Sequence, residues 1–122
     1  MKKFTFSNDL PIYLQLMKAI RMKIISSEWT QAMRVPSVRE LAVQYGVNPN
    51  TVQKALNALE NEDLVYTERT SGRFITKDSD VIESVRKATI NQMVNDFIEE
   101  MSQTGIDRRE LAGYILSEEE KI

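Results

Sequence analysis

At 122 residues the chain has room for one compact domain with an appendage and excludes two large domains. It contains no cysteine and no histidine, which removes disulfides, thiolate nucleophiles, imidazole bases and the usual structural zinc ligands, and its four glycines are too scattered for a phosphate loop. With 42% hydrophobic and 28% charged residues, no apolar run of membrane-spanning length and no leader-like stretch behind Met1, the sequence reads as globular and cytoplasmic.

The net charge of −2 conceals an asymmetry. Up to residue 77, eleven Lys or Arg stand against seven Asp or Glu; beyond it, five stand against eleven. A basic head on an acidic body points to polyanion binding by the head. The acidic residues form no organised pair, so neither an enzyme nor a cofactor is expected.

In chain order, Ile12, Leu16, Ile20 and Ile24 recur every fourth residue behind Pro11 and predict a helix from about Pro11 to Glu28. A polar connection follows, from Ser26 to Val35. After Pro36, the run Ser37-Val38-Arg39-Glu40 has the form of a capping box, opening a second helix to about Tyr45 with Val38, Leu41, Ala42 and Tyr45 inward. Gly46 supplies the residue tolerant of positive φ, and Asn48-Pro49 restarts a helix as cap and first turn. Two helices separated by three residues predict a helix-turn-helix.

The third helix should bury Val52, Ala55, Leu56 and Leu59, turning Asn50, Gln53, Lys54 and Asn57 outward on a face without an acid until Glu60. Next, Leu64–Arg69 and Arg73–Lys77 predict two strands around the loop Thr70-Ser71-Gly72, a wing. Asp80-Val81-Ile82-Glu83 has a capping pattern and opens a long helix stopping near Gly105. A last helix begins at Asp107-Arg108-Arg109-Glu110, with Ile106 and Leu111 placed as a hydrophobic staple.

The major groove of duplex DNA admits one α-helix, read mainly from its N-terminal turns. Asn50 and Gln53 offer amides suited to adenine, Thr51 can meet a phosphate or a thymine methyl, and Lys54 brings charge. Arg39, beside the buried stripe of the second helix, can fork onto phosphate or guanine; the alternative is an internal ion pair with Glu40 or Glu68.

Pro11-Ile12-Tyr13-Leu14-Gln15-Leu16, then Arg34-Val35-Pro36-Ser37-Val38-Arg39-Glu40-Leu41-Ala42, then Gly46-Val47-Asn48-Pro49-Asn50-Thr51-Val52-Gln53-Lys54-Ala55-Leu56 together resemble the GntR family of bacterial regulators. The likeness continues through Leu59-Glu60 and Leu64-Val65 to the wing ending Gly72-Arg73-Phe74-Ile75. It implies a mainly α (α+β) fold, a winged helix-turn-helix over residues 1–77. It also implies DNA contacts at Arg34, Ser37 and Arg39, at Asn48, Pro49, Asn50, Thr51, Gln53 and Lys54, and at Ser71, Gly72 and Arg73. Family members often carry arginine where this chain has Pro49 and Gln53, and glycine where it has Ser27 and Ala32.

Residues 78–122 leave space for two helices only, which resembles the YtrA-like subgroup, where such a pair forms the dimer interface. The candidate interface residues are Ile82, Val85, Ile90, Met93, Val94, Phe97 and Met101; packing of this stripe onto the first helix is the alternative, and Met93 and Met101 also suit a plastic ligand pocket. The expectation is a homodimeric repressor of a two-fold-symmetric double-stranded DNA operator, with a small-molecule effector of unassigned identity as a further partner and no membrane partner. The subgroup resemblance extends this to control of transporter genes. The competing function is a winged helix that docks protein through its acidic tail.

Overall fold

The computed structural model describes residues 4–120. Helix α1 spans Ile12–Ile25, with Pro11 just outside it, where the missing N–H costs nothing. Leu16, Ile20 and Ile24 are buried as the spacing requires, and Ile25 joins them. Ile12 is instead 46% exposed, because it lies one turn beyond the first layer of core side chains. The helix stops three residues short of Glu28. Ser27 takes φ 68°, and the Trp29 N–H donates to the Lys23 carbonyl at 2.9 Å. This turn folds Trp29 back onto the core beneath the Lys23 ammonium, 5.9 Å from its ring, while Lys23 binds Glu28 at 2.6 Å.

Helix α2, Val38–Tyr45, carries the complete capping box: the Glu40 N–H donates to Ser37 Oγ and the Ser37 N–H to Glu40 Oε1, both at 3.1 Å. Gly46 follows at φ 66°, left-handed, and lets the Val47 N–H return to the Ala42 carbonyl at 3.0 Å. Helix α3, Pro49–Asn61, opens with Asn48 Oδ1 accepting the Asn50 N–H at 2.7 Å. Its inward stripe of Val52, Ala55, Leu56 and Leu59 has no solvent exposure and meets Leu16, Ile20, Leu41 and Ile75 in one core.

Strands β1, Val65–Glu68, and β2, Gly72–Ile75, pair antiparallel with Val65 opposite Ile75 and Glu68 opposite Gly72. The loop is therefore Arg69-Thr70-Ser71, one residue earlier than the expected Thr70-Ser71-Gly72, and Gly72 belongs to the strand. Its φ of 105° selects glycine there, and the Arg34 guanidinium lies in ordinary contact distance beside it.

The connection before α2 proves to be a partner of the wing. The Ala32 N–H donates to Ile75 O, the Ile75 N–H to Met33 O and the Val35 N–H to Arg73 O, at 2.9–3.0 Å. Ala32 has φ 63°, so both positions where the resembled family commonly has glycine are left-handed here. Replacing Ala32 or Ser27 by glycine is expected to raise stability by about 0.5–1 kcal/mol each in denaturant melts, since relief of the left-handed strain exceeds the added entropy of the unfolded chain.

Helix α4 runs Ser79–Ser102 and α5 Arg108–Glu120. The α4 cap lies two residues before the expected one: Asp78 Oδ1 accepts the Asp80 N–H at 2.9 Å. The described residues form two compact units that divide between Arg86 and Lys87. Val81, Ile82 and Val85 pack against the core of the first. In the second, Asp107 Oδ1 accepts the Glu110 N–H at 2.8 Å, as the sequence pattern requires, and Leu111 is buried. Phe97, Met101, Ile106 and Leu111 line an apolar groove of about 500 Å³. Among the described residues, no helix is long and apolar enough to cross a membrane.

Candidate nucleic-acid interface

Burial of the α3 stripe leaves Asn50, Gln53, Lys54 and Asn57 exposed on the opposite side, as the 3.6-residue period demands. Pro49 is also exposed and Thr51 half-buried in the first turn. Asn48 is engaged in capping. Lys54 does not extend freely: its ammonium sits 4.1 Å over the Tyr13 ring of α1, a cation–π contact that holds the charge beside the reading face. Tyr13 was not singled out from sequence as a functional residue, because only the packing of α1 on α3 brings it under Lys54.

Ser37 Oγ accepts the Glu40 N–H in the capping box. The neighbouring Glu40 carboxyl is held below its ordinary value of 4.5, first by the Ser37 backbone N–H, then by the Ser37 hydroxyl, with the Arg34 charge contributing least. A carboxylate whose charged form is favoured by folding contributes stability above the unfolded value, and loses it as pH falls through the lowered folded value. The stability gap between the wild type and Glu40→Gln is therefore expected at pH 7 and should close as pH falls through the lowered folded value in parallel thermal melts. Ser37→Ala, which removes the cap itself, should cost about 1 kcal/mol.

Arg39 is exposed, and no hydrogen bond or ion pair engages it among the described residues; the alternative pairing with Glu40 or Glu68 does not form. Glu40 is committed to its cap. Arg34 bridges through its backbone to Phe74 and lays its guanidinium against Gly72, so these two residues form one surface between the start of α2 and the wing. Ser71 is exposed at the end of the wing loop.

Arg73 differs from its expected place at the wing surface. It is half-buried, and its Nη2 donates to Asn57 Oδ1 of α3 at 3.3 Å. In a strand successive side chains alternate faces, so Arg73 lies on the same side of β2 as the buried Ile75, the side from which it reaches α3. Asn57 was not among the candidate contact residues, although it lies one helical turn after Gln53 on the same outward face and receives the Arg73 hydrogen bond.

A polar helix face, a capped helix start and an adjoining wing of arginine and small residues form one surface with the chemistry of DNA contact. Residues 12–75 match the family described as bacterial regulatory proteins, gntR family. The regulator YhcF of Bacillus subtilis is 30% identical over 106 residues, covering 87% of this chain and 88% of that one. The repressor YtrA of Bacillus subtilis is 30% identical over 109 residues, covering 88% and 84%. A GntR family transcriptional regulator from Listeria monocytogenes superposes with a TM-score of 0.85 at 33% identity, over 92% of this chain and 98% of the other. The DNA-binding domain of AraR bound to its operator ORE1 superposes with a TM-score of 0.54 at 27% identity, over 62% and 94%. The chain belongs to the GntR family of bacterial regulatory proteins, DNA-binding transcription regulators rather than enzymes.

Proposed function

We propose that the chain is a cytoplasmic homodimeric repressor whose two α3 helices enter successive major grooves of a two-fold-symmetric operator. The observation that carries this reading is the outward face of α3, which offers Asn50, Gln53 and Lys54 with no acid before Glu60. Residues 1–77 would read DNA and residues 78–122 would dimerise. In this assignment Asn48 to Lys54 face the groove, Arg39 forks onto guanine or phosphate beside them, and Arg34, Ser37, Ser71 and Gly72 meet the backbone on either side. Arg73 acts from behind, on α3 itself.

Dimerisation is supported by Ile90, Met93, Val94 and Phe97, which recur at helical spacing and are each 42–48% exposed. Tyr114, Ile115 and Leu116 add further exposed apolar surface in the same unit. Ile82 and Val85, by contrast, already pack on the first unit's core. Met101 lines the apolar groove, which we assign to the same interface in preference to an effector pocket. Repression of an adjacent transporter operon extends the likeness to YtrA.

Footprinting upstream of the chain's own and neighbouring genes tests this function. A protected site with half-sites about 34–36 Å apart is expected. Equal binding of that site and of random duplex would overturn the reading. Within it, Arg39→Ala should cost about 1–3 kcal/mol on the operator if it forks onto guanine. Lys54→Ala should mainly flatten the salt dependence of binding.

A further inference from the structure

Three side chains outside the hydrophobic core connect the wing to α3. Asn57 Oδ1 accepts one hydrogen bond from Gln53 Nε2 and another from Arg73 Nη2, each at 3.3 Å. Gln53 and Asn57 are exposed, one turn apart on α3, and Arg73 reaches them from β2. A guanidinium can only donate, so it turns the Asn57 amide oxygen toward itself. That oxygen in turn draws the Gln53 amide nitrogen. Gln53 Oε1 and its second N–H are left directed away from Asn57, an acceptor and a donor in a set order.

An amide pair four residues apart contributes little alone and leaves both amides free to flip. The cation removes that freedom. Arg73 Nε is meanwhile buried without a hydrogen-bond partner among the described residues, an arrangement that opposes folding. Stability does not account for an arginine here.

We infer that Arg73 and Asn57 are positioning residues that fix the polarity of the Gln53 amide and thereby its preference for adenine. This rests on the reading of Gln53 as a base-contacting side chain. Adenine presents N6–H as donor beside N7 as acceptor, and an amide matches that pair in one orientation, whereas a flipped amide can donate to the two acceptors of guanine as well. The wing thus sets what the helix reads.

The test uses the full chain and duplexes recovered by the wild-type protein from a randomised pool, with every single-base variant measured by fluorescence anisotropy at one salt concentration. The wild type should prefer adenine by about tenfold or more at one position of each half-site, and Gln53→Ala should abolish that preference. Asn57→Ala and Arg73→Met should weaken it about threefold or more at the same position while the ratios elsewhere hold. Arg73→Met should melt no lower than the wild type. Should that variant fail to fold, the exposed Asn57 variant decides alone. Retention of the adenine preference in Asn57→Ala and Arg73→Met, with its loss in Gln53→Ala, would overturn the relay and leave Gln53 as reader. If Gln53→Ala alters no position, reader and relay fall together. Equal loss at every position would also overturn the inference, since it marks a general structural role.

Discussion

The double variant Ile90→Asp, Val94→Asp should sediment as a monomer and lose about 100-fold or more in affinity for a two-half-site operator. Both side chains are exposed on α4, outside the groove lined by Phe97 and Leu111, so the substitutions leave the buried contacts of the second unit intact. Opposed across a two-fold axis, however, the new carboxylates would meet their copies and repel. The loss in DNA binding would come from effective concentration. Once one recognition helix is seated, its tethered twin meets the second half-site without a new encounter. Binding to a single half-site should therefore change far less than binding to the whole operator. Analytical ultracentrifugation checks the first expectation and anisotropy on whole and half operators the second. A variant that stays dimeric would remove this stripe from the interface.

Leu56→Ala should destabilise the first unit by about 3 kcal/mol, lowering its Tm by roughly 10–20 °C in a calorimetric scan. Leu56 has no solvent exposure and lies in the core with Leu16, Ile20 and Leu41, between the helices that flank α3. The cavity left by its truncation cannot collapse without moving α3, the element that carries the reading face. Specific affinity should thus fall in parallel with stability well below the melting range. Unchanged melting would mean that the site repacks more easily than three surrounding elements allow.

The parts legible in the sequence are those decided within about ten residues. The Ser37–Glu40 box, the Gly46 turn, the Asn48-Pro49 start and the Val52–Leu59 stripe are set by local hydrogen bonding and helical period, and all four stand in the structure. Ser27 and Ala32 departed visibly from a glycine pattern, yet their left-handed φ values needed coordinates. What escaped was non-local. The pairing of residues 32–35 with β2 joins segments some forty positions apart and has no period of its own.

The wing register escaped for a related reason. Glycine is equally at home in a hairpin loop and at a strand end with positive φ, and nothing within the hairpin's own sequence separates the two places for Gly72. Alternation along β2 puts Arg73 on the face of the buried Ile75, and its reach from there to Asn57 of α3 is again a contact between segments distant in sequence. The cap of α4 failed more simply: Asp78 and Asp80 both suit the role, and the first of them holds it.

The corner after α1 has an optical consequence. Trp29 is the only tryptophan in the chain and is 9% exposed in the core of the first unit, with an ammonium above its ring. Excitation at the red edge of protein absorbance therefore reports on this unit alone, blind to everything after Arg86. Its emission should be blue-shifted in the native protein and move to longer wavelength as the DNA-reading half opens. Circular dichroism, dominated by helix, sums over both units, and the gap between the two melting curves would measure how far the two halves of the chain unfold together.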